Sequence, residues 1–131
     1  MLGAAAVAIW CDVDLKIKDE FDDWHAHEHM PERLAIPGFL RGSRWVSVDG
    51  RNSYFVLYEL AAHLLHDAGA AQGAPTTEQK IRGGDQAADW IVLVNGYDIH
   101  AEALAADELD GAAPGSITRI YRLAYTLTAR T

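Results

Sequence analysis

The side chains best suited to chemistry concentrate in one stretch, FDDWHAHEHMPERLAIPGF, which spans residues 21–39. Imidazole titrates near neutral pH, so a sheltered histidine is a natural candidate for proton transfer. We choose His29 as the candidate general acid or base, because it borders the apolar side of a predicted helix and precedes Pro31, which disturbs the local backbone. These features suit a side chain at a pocket mouth, with few packing contacts to lose. The alternative, which the sequence leaves open, is a structural histidine that bonds a carbonyl freed by the proline.

Glu28 is the second candidate catalytic residue. If residues 20–30 are helical, at about 3.6 residues per turn, Glu28 continues the apolar stripe of Phe21 and Trp24. A buried carboxylate must find a partner or take up a proton. We therefore predict that Glu28 is buried, pairs with a nearby Arg or His, and orients or charge-compensates His29.

Other side chains are predicted to line the same pocket. Trp24 and His25 flank the candidate acid/base on the helix, while Trp10, Asp12 and Tyr58 lie on or at the ends of predicted strands. Aromatic residues favour strands for packing alone, so each also has a purely structural interpretation.

The spacing His25-x-His27-x-His29 raises the question of a metal site, because imidazole is the commonest protein ligand. An H-E-x-x-H site beginning at His27 would need a second histidine at position 31, where this chain has Pro31. His27 also falls on the acidic outer side of the predicted helix, together with Asp22 and Asp23. We therefore predict no metal, and no cofactor, since no phosphate-binding glycine loop or dinucleotide fingerprint occurs.

The first half of the chain predicts the elements that position these residues. Residues 4–12 form a short apolar run typical of a strand. The helix follows, with a kink or break expected at Met30-Pro31 and a short turn over Glu32–Ile36 before the Pro37-Gly38 turn. Residues 40–48 and 53–60 alternate around a polar turn and predict an antiparallel pair. The order is β-α-β-β, the first part of a ferredoxin-like unit.

The second half is less regular. Residues 61–73 predict a short helix, and Thr76 begins a capping-box pattern for another that ends at Gly83-Gly84. Residues 90–94 form a continuous apolar run typical of a central strand, and residues 101–109 a short helix. Residues 117–129 alternate over a long span, with one apolar face listed here: Tyr121, Leu123, Tyr125 and Leu127. So long a strand is expected to pack against a second subunit.

A resemblance to a known family is carried by the run E-H-M-P-E-R-L-A-I-P-G-F-L from Glu28, by Arg44-Trp45, and by the strand YFVLYEL. Over residues 5–60 the chain resembles the EthD-like branch of the dimeric α+β barrel superfamily. The resemblance implies a ferredoxin-like antiparallel sheet with helices on one face, assembled as a homodimer. It also implies a pocket between sheet and helices that holds His29.

Members of that superfamily resemble cofactor-independent monooxygenases, cyclases, isomerases and decarboxylases. The expectation is therefore chemistry without a cofactor on a small apolar or aromatic organic molecule. A non-catalytic binding or structural member of the same fold is the alternative. An open pocket holding His29 would favour the enzyme, and a solidly packed cluster would favour the alternative.

Length and composition set the outer limits. At 131 residues the chain is expected to form a single domain over residues 1–131. The net charge of −8 argues against nucleic acid or an anionic membrane as partner, because both attract clustered positive charge. Cys11 is the single cysteine, so no intrachain disulfide is possible. Because the apolar N-terminal run also lacks a basic leader, we expect a cytoplasmic protein.

Overall fold

The computed structural model describes residues 1–51, 53–62, 92–113, 115 and 117–129. In chain order the elements are β1 (Ala5–Asp12), a 3-10 turn (Leu15–Ile17), α1 (Lys18–Trp24), a π-helical turn (His25–His29), α2 (Met30–Leu34), β2 (Phe39–Ser47), β3 (Ser53–Leu60), α3 (Ile99–Ala112) and β4 (Tyr121–Thr128). None of the helices in this described part has the length and hydropathy needed to cross a bilayer.

The four strands form one antiparallel sheet in the order β1-β3-β2-β4. The fold is therefore α+β, as the sequence predicts, and the predicted strands over residues 4–12, 40–48 and 53–60 are confirmed to within a residue. β2 and β3 are joined by the predicted polar turn, where Gly50 adopts a positive φ of 77°. Successive side chains point to opposite faces of a strand, so the sheet has two distinct surfaces.

The helical segment runs without a break from Lys18 to Leu34, so of the predicted kink or break at Met30-Pro31 the break is wrong. A widened turn before the proline replaces the break. Its i→i+5 bonding is shown by the Met30 amide, which donates to the carbonyl of His25. Pro31 then occupies the first turn of α2, where its missing N–H costs little.

The helical segment of α1, the π-helical turn and α2 packs on one surface of the sheet, which we call the helix face. Phe21 of α1 packs with Val13 and Tyr54, and Met30, which is fully buried, packs with Val56 and Tyr58. This second cluster depends on a close approach at β2. A Cβ atom added to Gly42 would lie 2.9 Å from Met30 Cγ and 3.0 Å from Tyr58 Cε1. Because Gly42 has no side chain, Met30 has room to pack against the sheet.

The opposite surface, the second face, carries an aromatic row. The rings of Trp45 and Phe55 are 5.4 Å apart and those of Phe55 and Tyr121 are 5.8 Å apart. Trp10 pairs with Phe55 at one end of the row and Leu123 pairs with Trp45 at the other. No described helix packs extensively on this face.

β4 corrects the prediction of one long strand with a single apolar face. The strand covers Tyr121–Thr128 only, and its pairing with β2 is irregular between Arg44 and Trp45. The extra residue of this bulge reverses the alternation, because side chains change face with every residue. Tyr125 and Leu127 therefore pack on the helix face, while Tyr121 and Leu123 lie on the second face.

The remaining predictions have mixed outcomes. The helix predicted over residues 101–109 is present as the longer α3, capped by the Asp98 carboxylate, which accepts from the His100 amide at 2.9 Å. The predicted strand at residues 90–94 is wrong for residues 92–94, which belong to neither helix nor strand. The helices predicted over residues 61–73 and after Thr76 lie almost entirely outside the described residues.

Candidate functional site

The π-helical turn brings two of the predicted site residues together on the helix face. The ring centroids of His25 and His29 are 5.4 Å apart. The exposed fraction is only 4% for His25 and 6% for His29. The wider turn advances the chain by less per residue than the roughly 100° of an α-helix. Residues four apart consequently lie nearly above one another, and both imidazoles face the sheet.

Aromatic rings enclose the pair. The indole of Trp24 stacks on His29 with centroids 4.6 Å apart and an interplanar angle of 26°. The ring of Phe21 lies 5.4 Å from that of His25. His29 is therefore buried and well packed, and the expectation that it sits at a pocket mouth with few packing contacts is wrong.

A buried cation borders the histidines. The guanidinium of Arg44 is almost completely enclosed, with its carbon 5.9 Å from the centroid of Phe21, 5.8 Å from Tyr54 and 5.9 Å from Tyr125. Its Nη2 lies 3.3 Å from a carboxylate oxygen of Asp22, and its Nη1 donates to the Asp22 carbonyl at 3.1 Å. The charge of the guanidinium and its Nη1 donor thus have partners on α1.

The Asp22 carboxylate also accepts a hydrogen bond from the ammonium of Lys18, one turn earlier. This bond is the largest effect on Lys18 and raises the pKa of its ammonium, despite an opposing contribution from burial. Burial raises the pKa of the Tyr54 hydroxyl, and the charge of Asp22 acts in the same direction. The phenol therefore stays neutral beside the ion pairs.

His25 is held in its neutral form. Burial lowers the pKa of its imidazole to about 3, and the positive charge of Arg44 acts in the same direction. Among the described residues, His25 Nδ1 and Arg44 Nε have no hydrogen-bond partner. A buried polar atom without a partner costs about 1 to 3 kcal/mol, so an ordered water or ligand atom is the expected partner of each.

The structure places Glu28 outside this cluster. It is exposed, so the prediction that it is buried beside Phe21 and Trp24 is wrong. The error comes from the helix phase, because a regular α-helix would put Glu28 on the Phe21 stripe, and the π-helical turn moves it outward. His27 is exposed as predicted, and its Nδ1 lies 2.9 Å from a carboxylate oxygen of Asp23.

The predicted pocket-lining residues are divided between the two surfaces of the sheet. Trp24 and His25 lie with His29, and Tyr58 lies on the same face in the neighbouring Met30 cluster, 5.8 Å from the ring of Phe39. Trp10 and Asp12 lie on the second face. The Asp12 carboxylate accepts a hydrogen bond from the Ser53 hydroxyl, and Trp10 ends the aromatic row.

Asp12 also borders an open groove of about 340 Å³ at the end of the sheet, lined by Asp12, Val13, Leu15, Gly50, Arg51 and Ser53. Neither histidine of the cluster lines this groove. Within the part of the chain that the structure describes, no three His, Cys, Asp or Glu side chains are arranged to hold a metal ion.

Sequence reasoning missed the role of Asp22, which it assigned to the outward side of the helix start. The available signal was Arg44, a charged residue that shares the inward-facing side of its predicted strand with Leu40, Gly42 and Val46. A buried arginine requires a carboxylate or several carbonyl partners. The acidic start of the preceding helix was one source of carboxylates in the sequence.

Comparison of the chain with protein-family models, with curated proteins and with solved structures finds no match. The resemblance to the EthD-like branch therefore rests on the run from Glu28, on Arg44-Trp45 and on the strand YFVLYEL.

Proposed function

We propose that this protein is a ferredoxin-like α+β protein of the dimeric α+β barrel type, resembling the EthD-like branch. In this proposal it binds a small apolar or aromatic organic molecule against the helix face. His29 exchanges a proton with the bound molecule, and no cofactor takes part. The enzyme type would be a cyclase, isomerase, decarboxylase or monooxygenase.

The observation that carries the proposal is the π-helical turn His25–His29. Such turns are rare and occur disproportionately at functional sites, because the widened turn re-aims side chains at some cost in backbone bonding. Here it aligns two imidazoles beside the ring of Trp24, in a cluster that also holds the buried Arg44. A chain that needed only a packed helix could have used an apolar residue at each of these positions.

The two histidines would have different roles. A general base works best when its pKa lies near the operating pH, and the pKa of about 3 makes His25 too weak a base at neutral pH. His29 is therefore the proton-exchanging group in this proposal. His25 would replace Glu28 as its orienting neighbour, because its ring lies 5.4 Å away and Glu28 is exposed.

A homodimer is the second part of the proposal. On the second face, Trp10 is 40% exposed and Leu123 is 52% exposed, at opposite ends of the aromatic row. An exposed apolar surface of this kind is typical of an interface, and a stable one buries on the order of 2,000 Å². Sedimentation at micromolar concentration tests this, and a stable monomer would contradict it.

The burial of His29 favours a second candidate function, a non-catalytic binding or structural member of the same fold. In that case the histidines, Arg44 and Asp22 join the helical segment to the sheet, and the imidazoles never meet a substrate. The 6% exposure of His29 and its stacking on Trp24 are what such a role requires.

Mass spectrometry of molecules that co-purify with three proteins separates the two functions. The proteins are the wild type, His29→Gln, which cannot exchange protons near neutral pH, and His27→Gln, the matched control on the exposed side of the same turn. If His29 is catalytic, His29→Gln carries a different molecular species from the wild type, because the bound precursor accumulates. His27→Gln carries the wild-type species.

Urea unfolding of His29→Ala and His27→Ala completes the test. If the role of His29 is structural, His29→Ala loses stability and the co-purifying molecules are the same in all three proteins above. That pair of results would remove His29 as a catalytic residue.

A further inference from the structure

The sheet has an outer edge at β1 without the usual protection against pairing with another strand. Among the described strands, β1 has a neighbour on one side only, β3. Its pairing with β3 is regular from Ala5 to Asp12, without a bulge, and Asp12 is its single charged residue. Natural sheets usually protect such edges with lysine, proline, a bulge or a covering element.

This edge is apolar on both surfaces of the sheet. Val7 and Ile9 pack on the helix face, and Ala8 and Trp10 lie on the second face. A strand that pairs here would therefore be buried best if it were apolar on both of its own sides, since successive residues point to opposite faces.

The same chain contains such a segment, and it pairs with none of the strands that the structure describes. Val92, Leu93 and Val94 are apolar at consecutive positions and are 70%, 46% and 54% exposed. Residues 92–96 belong to neither helix nor strand, and α3, which follows, packs extensively on no described element. The segment therefore stands away from the described body of its own subunit.

We infer that residues 92–96 of one copy add to the free edge of β1 in a second copy, as a fifth antiparallel strand. Main-chain hydrogen bonds would provide the pairing, and Val92, Leu93 and Val94 would cover the apolar side chains of β1. Residues 4–11 and residues 92–97 contain no charged side chain, so the pairing places no like charges directly in the contact.

Two copies can make this exchange reciprocally. Each would donate one segment and accept one, which closes the assembly at a dimer instead of continuing into a fibre. The exchange extends the proposed homodimer by adding a contact at the sheet edge to the contact between sheet faces. It does not depend on the small-molecule chemistry of His29.

Backbone hydrogen exchange over a dilution series, read by mass spectrometry, tests the inference on the unmodified protein. Amide exchange in residues 5–11 and in residues 92–96 should slow together by at least about tenfold as the concentration rises through the dimerisation range. Such joint, concentration-dependent protection identifies a second copy as the source of the strand.

The double variant Val92→Asp, Val94→Asp supplies the matched perturbation, because both side chains are exposed and their replacement should leave the fold intact. It should abolish the protection of residues 5–11 and weaken the dimer. Ile117→Asp, at an apolar position that is even more exposed, at 84%, should change neither.

Other results would overturn the inference. Joint protection that is independent of concentration means that the segment pairs with β1 of its own chain. A dimer without protection of these two segments means that the sheet faces alone associate, which leaves the proposed function standing. A monomer at every concentration rejects both the exchange and the proposed homodimer.

Discussion

The two surfaces of the sheet bury their apolar groups by different means. The helix face is completed within one chain, where α1, the π-helical turn and α2 enclose two histidines and an arginine among aromatic rings. The second face aligns Trp45, Phe55 and Tyr121, yet both ends of the row remain substantially exposed. Substitutions on the helix face should therefore change the stability of the subunit, whereas those on the second face should change its association.

The largest effect is expected from Arg44→Ala. The substitution removes the buried partner of Asp22 and three cation–π contacts, and it leaves the carboxylate paired with Lys18 alone. Breaking a fully buried pair costs about 3 to 5 kcal/mol, and partial exposure of Asp22 places this one at about 3 kcal/mol or slightly below. Urea unfolding measures the loss.

Arg51→Ala is the control for that measurement. Its Nε lies 2.7 Å from a carboxylate oxygen of Asp49, closer than the 3.3 Å of the buried pair, but both side chains are exposed to water. Exposed pairs contribute little because solvent screens them. An equal shift in the unfolding midpoint for Arg51→Ala and Arg44→Ala would contradict the contrast between buried and exposed charge.

Gly42→Ala should have the next largest effect. The added methyl group would lie within 3.0 Å of Met30 and Tyr58, which are both buried and have little room to move. Such overpacking costs about 1 to 3 kcal/mol. Gly111→Ala is the matched control on α3, where nothing lies within 4 Å of the new methyl group, and it should cause no loss.

The third prediction concerns pH. The pKa of His25 is lowered to about 3 in the folded protein, so the unfolded chain binds the proton more strongly. The resulting stability is fully present above the unfolded pKa of about 6.5 and is lost as the pH falls towards 3. Between pH 7 and 5.5 the free energy of unfolding should fall with a slope approaching 1.4 kcal/mol per pH unit, about the most that one proton can contribute.

His25→Gln should flatten that slope, whereas His27→Gln, on the exposed side of the same turn, should preserve it. Restricting the comparison to this range keeps most carboxylates ionised, so the difference between variants reports the histidine. A slope that survives His25→Gln would mean that another buried group takes up the proton.

The parts of the fold that the sequence predicts are those in which local pattern and tertiary packing agree. A short apolar run located β1, and alternation around a polar turn located β2 and β3, because the inner side of these strands is largely apolar and β3 pairs with both of its neighbours. The bulge opposite Arg44 and Trp45 was not predictable, because the alternation of β4 continues through it unchanged. The position of the bulge depends on how side chains pack on both surfaces of the sheet.

The sequence predicted the residues of the candidate site better than it predicted their geometry. His25, His29 and Trp24 come together as expected, since they are neighbours on one helical segment. Glu28 does not join them, because the π-helical turn changes the phase of the segment. Two features select that turn: the proline that follows it and the contact of Met30 with Gly42. The second is a tertiary contact that the spacing of residues does not reveal.

The smallest effect is expected at Glu28, and it tests the phase of the helix directly. In a regular α-helix Glu28 would face the sheet and Ala26 would face away from it, whereas in the structure Ala26 is buried and Glu28 is exposed. Glu28→Gln should therefore change the free energy of unfolding by no more than about 0.5 kcal/mol, as most surface substitutions do.

Ala26→Gln should instead lose about 1 to 3 kcal/mol, because it forces a larger polar side chain into a packed interior. The two substitutions introduce the same residue two positions apart, and the lower helix propensity of Gln than of Ala accounts for less than about 0.7 kcal/mol of the difference between them. If Glu28→Gln proves the more damaging of the two, the segment is a regular α-helix in solution. The alignment of His25 with His29, and the proposal that depends on it, would then fail together.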